Sequence, residues 1–115
     1  MKSGAKFNQG DIVIVPFPFS DLKSSKMRPV LILSKTKNNK NFDDILVCGI
    51  TANLRNSPYS ILIENKDLES GNIPVKSKIK IDKLFTIEKK LAIKKLGRLN
   101  RETFDKARKE FYKLV

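Results

Sequence analysis

Four short runs of apolar, largely β-branched residues constrain the fold of this 115-residue chain more than any other feature of its sequence. The runs are Asp11–Val15, Pro29–Leu33, Ile45–Ile50 and Tyr59–Ile63. Each is too short for a typical helix and consists mainly of residues that favour strands, so we predict four strands. Because the runs are almost continuously apolar, both faces of the sheet should be covered, as in a packed sheet or a small closed barrel.

Further strands are expected in the second half of the chain. Through residues 76–83, lysines alternate with Ser77, Ile79 and Ile81, which at a period of two gives one basic face and one mainly apolar face. Such a strand either protects a sheet edge with its lysines or presents them to phosphates, and the sequence leaves both interpretations open. Leu84–Ile87 predicts another strand.

The chain is expected to end in one amphipathic helix over Arg101–Leu114. Asn100 is a suitable N-cap, and Glu102 in the first turn complements the helix dipole. The apolar residues that recur at helical spacing and should pack on the sheet are Phe104, Ala107, Phe111 and Leu114. Before the helix, Leu91–Leu99 fits either a strand or a short helix, and Gly97 favours the strand.

The connections between the predicted strands differ in length and composition. Pro16–Met27 is longer than the ~4–6 residues of most connections, which favours a functional role. Ala52–Pro58 is polar and directly follows a buried strand, whereas Glu64–Pro74 is typical of a surface loop.

With no repeat, low-complexity tract or linker, residues 1–115 are predicted to form a single, mainly β domain with a C-terminal helix. No apolar run approaches the ~18 residues that cross a bilayer, and the first residues lack the apolar stretch of a secretory signal. We therefore expect a cytoplasmic protein that is not inserted in a membrane.

The formal net charge is +12, from 24 Lys and Arg against 12 Asp and Glu. The excess is spread over both halves of the chain, which argues against a neutral domain with a basic tail. A polyanion binder has this sign of charge, but a lysine-rich composition that covers every solvated face would produce the same excess.

Composition also excludes several kinds of catalytic site. The chain has no His and one Cys, which removes imidazole catalysis and His- or Cys-cluster metal sites, so we expect no metal or cofactor. Its five glycines do not form a phosphate-binding loop. Cys48 lies within an apolar run and is interpreted as a buried core residue, and the adjacent Asp43 and Asp44 as solvated loop acids.

Arg and Thr side chains near the ends of strands remain as candidates. Arg28 stands at the end of the long loop and directly before the second apolar run, and Thr51 follows the third. A guanidinium is a planar fork of donors that matches phosphate oxygens, and a hydroxyl adds one further donor or acceptor. The alternative without a functional role is that both are ordinary residues at strand ends.

Several motifs are similar to one known family, the MazF/PemK toxin endoribonucleases of toxin–antitoxin pairs. The residues that carry the resemblance are Gly10–Val15, Pro16–Asp21, Arg28–Ser34 and Ile50–Thr51, followed by Ser77–Ile87 and Leu96–Leu99 before the final helix. The Gly-Asp-Ile-Val start and the Arg-Pro strand are its more specific parts.

The resemblance implies a small, strongly curved SH3-like β-barrel that forms a homodimer. It also implies metal-independent, sequence-selective cleavage of single-stranded RNA, with Arg28 and Thr51 as catalytic residues. The loop before Arg28 would bind substrate, and Asp82 and Lys83, with Ser77 nearby, would contact RNA. The implied partner is a small acidic antitoxin that occupies the same groove. The composition of the first loop differs from that of many members, so the cleaved sequence is not transferable.

RNA supplies its own nucleophile, the 2′-hydroxyl, so a protein need only orient it and stabilise the charged phosphorane. The products would be a 2′,3′-cyclic phosphate and a 5′-hydroxyl end. Aromatic and basic residues serve single-stranded RNA recognition. The complete set of residues expected to contact RNA is Phe17, Phe19, Ser20, Lys23, Lys26, Asn53, Arg55, Ser77, Asp82 and Lys83.

Two other functions are compatible with the sequence. One is an SH3-like barrel with weak or no catalysis that binds nucleic acid or a protein target such as gyrase. The other is a DNA-binding regulator, which is disfavoured because only one clear helix is predicted and a helix-turn-helix needs two.

Overall fold

The computed structural model describes residues 7–18 and 25–115. In this part of the chain, seven strands form one antiparallel sheet in the order β4-β6-β3-β2-β1-β7-β5, which curls into a half-barrel. The strands are β1 Asp11–Pro18, β2 Ser25–Ile32, β3 Asp44–Thr51, β4 Ser60–Ile63, β5 Leu68–Gly71, β6 Ser77–Glu88 and β7 Lys94–Leu99. The helices are α1 Thr36–Asn41 and α2 Arg101–Leu114, with short 3₁₀ turns at Asn65–Asp67 and Lys89–Leu91. The predicted fold, mainly β with a C-terminal helix, is confirmed.

Strand alternation divides the apolar residues into two cores, one on each face of the sheet. The first core includes Ile12, Leu31 and Ile79, and it is covered by α2 through Ala107. The second core is built on Val13, Val15, Val30, Ile32, Ile45 and Val47. All of these side chains are essentially inaccessible to solvent, so the prediction that both faces are covered is confirmed.

Helix α2 has the predicted bounds and the predicted cap. The side-chain oxygen of Asn100 accepts a hydrogen bond from the backbone N–H of Thr103 at 2.8 Å, which satisfies one of the free donors at the helix start. Phe104 and Phe111 pack against the first core. No helix of the described residues is both long enough and apolar enough to span a membrane.

The hairpin of β1 and β2 is longer than predicted, so the expected bounds of the Pro16–Met27 loop are wrong. The ladder continues through Pro16, Phe17 and Pro18, which pair with Met27, Lys26 and Ser25. Prolines usually end a central strand, but β1 pairs with β7 only from Asp11 to Ile14. Beyond Ile14, β1 is therefore an edge strand, where a missing N–H is tolerated.

Other segments also differ from prediction. Residues 76–83 and Leu84–Ile87 were expected as separate strands, but they form the single strand β6. Lys94–Leu99 forms strand β7, so the strand that Gly97 favoured over a short helix is confirmed for this segment. Helix α1, Thr36–Asn41, has no strong apolar periodicity and was not predicted.

Strand β5 lies within the segment expected to be a loop, and glycines explain why it pairs. Gly71 adopts a positive φ of 78°. A Cβ atom on Gly97 would lie 2.5 Å from the carbonyl oxygen of Ser70, closer than side chains tolerate. The two backbones of β5 and β7 thus meet only because neither glycine has a side chain, a constraint that hydrophobic patterning does not reveal.

A buried carboxylate fixes the start of β1 against β7. The side chain of Asp11 is fully buried, and its Oδ1 accepts a hydrogen bond from Nε of Arg98 at 2.8 Å and lies 3.3 Å from Nζ of Lys95. Its Oδ2 accepts from the backbone N–H of Asn8 at 2.9 Å. The hydrogen bond that Arg98 donates to Asp11 raises the pKa of the Arg98 guanidinium.

Replacing this carboxylate should destabilise the whole domain. We expect Asp11→Ala to lower the free energy of unfolding by about 3 kcal/mol, near the low end for breaking a buried ion pair, because Arg98 and Lys95 keep partial access to water. Urea unfolding followed by circular dichroism measures this. The control Glu110→Gln removes an exposed ion pair with Lys113 and should leave the midpoint almost unchanged. Equal midpoints for both variants would contradict the structural role of Asp11.

Candidate active site

A cavity of about 580 Å³ opens where β2, β3 and β6 meet the loop that follows β3. Its volume lies in the range of small-ligand sites. The residues that line it are Arg28, Pro29, Gly49, Ile50, Thr51, Asn53, Arg55, Ser57, Lys80, Lys83, Leu84 and Phe85. The cavity thus draws on strand residues from the centre of the sheet and on polar residues from a loop.

Arg28 and Thr51 both line this cavity, because of the register of the two central strands. Val30 of β2 pairs with Gly49 of β3 in an antiparallel ladder. Arg28 and Thr51 each lie two residues beyond this pair, where the ladder has ended, and side-chain alternation puts both on the face that Val30 and Gly49 share. Both residues are half-buried, and both line the cavity.

Thr51 begins a loop that is shaped by side-chain hydrogen bonds. Its hydroxyl oxygen accepts from the backbone N–H of Asn53 at 3.1 Å, and Oδ1 of Asn53 accepts from the N–H of Arg55 at 3.0 Å. Nζ of Lys78 then donates to the carbonyl oxygen of Arg55 at 3.0 Å. A hydroxyl that accepts one bond keeps its own hydrogen for another, so Thr51 can still donate to a bound ligand.

The other wall of the cavity is formed at a bulge in β6. The register with β3 shifts from Gly49–Lys80 to Cys48–Leu84, which leaves residues 81–83 outside the ladder. The N–H of Ile81 instead donates to the carbonyl oxygen of Tyr59 at 2.9 Å. The bulge brings Lys83 to the rim of the cavity.

The charged side chains in the lining are all cationic. Among the residues that the structure describes, Arg28, Arg55, Lys80 and Lys83 line the cavity, and no carboxylate does. Several cations around one concave surface create a local positive potential that attracts anions. The arrangement is therefore suited to a phosphate-containing ligand.

Three of the residues expected to contact RNA lie in the cavity lining, namely Asn53, Arg55 and Lys83. Asp82 is close to it, because its Oδ1 lies 3.9 Å from Nζ of Lys80. These positions are compatible with the predicted contacts to RNA.

Two further expected contacts, Ser77 and Lys26, are not part of the cavity lining. Ser77 is buried, and its hydroxyl donates to the carbonyl oxygen of Val75 at 2.9 Å, away from the cavity lining. Lys26 is exposed on β2, paired in the ladder with Phe17 of β1. Three residues of the intervening connection lie outside the described residues, and they are Phe19, Ser20 and Lys23.

Sequence reasoning missed the place of Lys80 and Ser57 in the cavity lining. The alternation of lysines with apolar residues did mark Lys80 as part of a basic face. Its position opposite Gly49 depends on the pairing of β6 with β3, which the local sequence pattern does not reveal.

Cys48 is not suited to catalysis. It is fully buried on the face that α2 covers, as predicted. Burial, together with the negative charge of Asp82, raises the pKa of its thiol to about 12. The thiolate is the reactive form, so the side chain is inert near neutral pH. In the described parts of the chain, no cluster of three or more Cys, Asp or Glu side chains could hold a metal ion.

The inertness of Cys48 can be measured by thiol labelling. We expect a disulfide reagent such as 5,5′-dithiobis(2-nitrobenzoate) to modify the folded protein at pH 8 at least ~100-fold more slowly than the urea-unfolded chain. Absorbance of the released thiolate follows both reactions, and the unfolded sample is the control. Rapid labelling of the folded protein would contradict the burial of this thiol.

Comparison with known proteins gives a family and a fold. Residues 8–115 match the family model described as PemK-like, MazF-like toxin of type II toxin–antitoxin system. None of the curated proteins matches the chain. Solved structures are similar over nearly the whole chain, at identities low enough that the likeness shows the fold alone.

One similar structure is an endoribonuclease in complex with its cognate antitoxin from a mycobacterial species. It has a TM-score of 0.76 and 18% identity, and the match covers 92% of this chain and 91% of the other. Another is a MazE–MazF crystal structure from Deinococcus radiodurans, with a TM-score of 0.79, 15% identity and 96% of both chains covered.

Proposed function

The chain belongs to the family of PemK-like, MazF-like toxins of type II toxin–antitoxin systems, and we propose that it is an endoribonuclease that cleaves single-stranded RNA without a metal ion. The observation that carries the proposal is the cavity where Arg28 and Thr51 lie on the same face of two paired strands. The other charged residues in the lining, Arg55, Lys80 and Lys83, are cations, which suits a phosphodiester.

In the proposed reaction, the 2′-oxygen of one nucleotide forms a bond to the adjacent phosphorus, and the bond from phosphorus to the 5′-oxygen breaks. The 2′-hydroxyl loses a proton and the 5′-oxygen gains one, so the products are a 2′,3′-cyclic phosphate and a 5′-hydroxyl. Solvent water carries these protons, because an arginine side chain is neither an acid nor a base at physiological pH. Arg28 donates to the non-bridging oxygens, whose negative charge grows in the transition state.

Thr51 has a positioning task in the same step. Its backbone is fixed at the end of β3, and its hydroxyl oxygen already accepts from Asn53. The remaining hydroxyl hydrogen donates to the phosphate and holds it beside Arg28. Fixing the diester with the 2′-oxygen, phosphorus and 5′-oxygen in line lowers the entropic part of the barrier.

RNA on either side of the cleaved bond would contact the cations at the rim. Asn53, Arg55 and Lys83 are already in the lining. On the β1–β2 side, the proposed contacts are Phe17, Phe19, Ser20, Lys23 and Lys26. Asp82, which lies beside Lys80, is also a proposed RNA contact, whereas no contact is proposed for Ser77, because it is buried and its hydroxyl donates to Val75.

We also propose an acidic antitoxin as protein partner and a homodimer as the working form. One of the similar structures is an endoribonuclease bound to its cognate antitoxin. A net charge of +12 favours association with an acidic chain, which would compete with RNA for the cationic cavity. With an RNA substrate and an antitoxin of this kind, we propose a cytoplasmic location.

Cleavage and its dependence on Arg28 can be tested together. Purified protein incubated with a long single-stranded RNA in excess EDTA should give discrete fragments that end in a cyclic phosphate. We expect Arg28→Ala to slow cleavage at least ~10²–10³-fold, the usual effect of removing one preorganised donor. Gel analysis of the fragments over time gives both rates.

The matched control is Arg101→Ala, which removes an exposed arginine on α2, outside the cavity lining. It should cleave at the wild-type rate, and circular dichroism should show that both variants fold. Wild-type speed in Arg28→Ala would refute the assignment. Intact RNA that shifts on a native gel would instead identify a binding protein without nuclease activity.

A further inference from the structure

We propose that the outer face of α2 is a second RNA-binding surface, which holds single-stranded RNA at a distance from the cleaved bond. The inference rests on the proposed ribonuclease function and extends it to a part of the chain outside the cavity. Five exposed side chains in the C-terminal half of the helix form this surface, the α2 patch, and they are Lys106, Arg108, Lys109, Tyr112 and Lys113.

The packing of α2 on the first core turns the patch toward solvent. Phe104 and Phe111 pack against that core and fix the rotation of the helix about its axis. Tyr112 follows Arg108 by four residues and Lys109 by three, so the three side chains are neighbours on the helix surface. The tyrosine ring therefore lies between two cations.

Tyr112 is a large aromatic residue in an exposed position. It is 65% exposed, and its ring makes an edge contact with Phe111, with centroids 5.9 Å apart and an interplanar angle of 60°. A core side chain thus supports the ring, while most of it stays accessible. An exposed aromatic ring among cations is typical of surfaces on which unpaired bases stack.

Positive charge is concentrated in this half of the helix. Residues 106–114 contain four cations and one carboxylate, that of Glu110, for a net charge of +3. Glu110 pairs with Lys113 at 2.8 Å. No carboxylate of the described residues lies within 4 Å of the side-chain nitrogens of Lys106, Arg108 or Lys109, so their charges are available to an anionic ligand.

Helix stability does not explain this arrangement of charge. Lys109 lies three residues after Lys106 and four before Lys113, and like charges at these spacings destabilise a helix. Of the patch cations, Lys113 lies in the last turn, where a positive charge is favourable for the helix dipole. A polyanion bound along the patch would relieve the repulsion among the others.

Arg108 is already held in place on the patch. Its Cζ lies 5.4 Å from the centroid of the Phe104 ring, a distance typical of a cation–π contact. Because Phe104 packs on the first core, the guanidinium is restrained before any ligand binds. A restrained side chain loses less conformational entropy on binding, and a guanidinium matches phosphate oxygens well.

The position of the patch separates it from the chemical step. Helix α2 covers the first core, whereas Arg28 shares with Val30 the face of the second core. The patch therefore lies across the sheet from the cavity, and its side chains do not contact the scissile phosphate. An exposed ring on a helix stacks on a base only where that base is unpaired, so the proposed occupant is a single-stranded segment of the same RNA.

The first test measures binding of a long, non-cleavable 2′-O-methyl RNA by fluorescence anisotropy over a range of salt concentrations. We expect Lys109→Gln to reduce the salt slope by ~0.7, the value for one lost contact with a single-strand phosphate. At constant salt, Tyr112→Ser should weaken binding at least ~5-fold, and Tyr112→Phe should bind like the wild type because it keeps the ring. The control Arg101→Gln removes an exposed cation of the same helix outside the patch and should keep the wild-type slope.

The second test compares cleavage of a long RNA with cleavage of a short oligonucleotide that contains only the sequence cut by the wild type. For the long RNA, we expect Lys109→Gln and Tyr112→Ser to raise KM with kcat unchanged, because the patch contributes binding and not chemistry. For the short oligonucleotide, both constants should equal those of the wild type. Circular dichroism checks that the variants fold, and equal losses on the short and the long RNA would refute a remote surface.

The two proposals fail in different ways. A wild-type protein that leaves RNA intact refutes the nuclease, while a smaller salt slope in Lys109→Gln still supports the patch. Equal slopes in Lys109→Gln and Arg101→Gln, or unchanged affinity in Tyr112→Ser, would overturn the patch as an RNA-binding surface. Variants that lose binding of polyglutamate but not of RNA would also overturn it, and would identify an acidic protein as the partner of α2.

Discussion

The cavity depends on the antiparallel register of β2, β3 and β6. Side chains alternate between the two faces of a strand, so a slip of one residue would turn Arg28 and Thr51 toward the core that α2 covers. Two fully buried cores fix this register, one on each face. The rigid packing of residues that never touch a ligand therefore determines which polar groups meet in the cavity.

The site combines a rigid part with irregular segments. Arg28, Thr51 and Lys80 lie on strands that are paired on the sheet, whereas Arg55 and Lys83 lie on a loop and a bulge. The strand residues are half-buried and have few accessible conformations, which is what stabilisation of a developing charge requires. The exposed cations around them are better suited to holding a flexible, single-stranded polyanion.

Much of the fold could be predicted from local pattern, because apolar β-branched runs and helical periodicity are short-range signals. The bounds of α2 and the identity of the apolar strands follow from them. The extension of β1 through Pro16 depends on the end of its pairing with β7, and β5 depends on the contact of Gly71 with Gly97. Arg28 and Thr51 were singled out from strand ends and a family resemblance, whereas the location of Lys80 required the register with Gly49. Such long-range relations are absent from any single stretch of sequence.

The bulge in β6 has an evolutionary consequence. Asp82 and Lys83 are exposed and lie outside the ladder with β3, so exchanging either side chain disturbs little packing. Substitutions at these two positions can therefore alter the rim of the cavity while Arg28 and Thr51 on the paired strands stay in place. A fold built this way can change the charge and shape of its cavity rim without altering the register that positions Arg28 and Thr51.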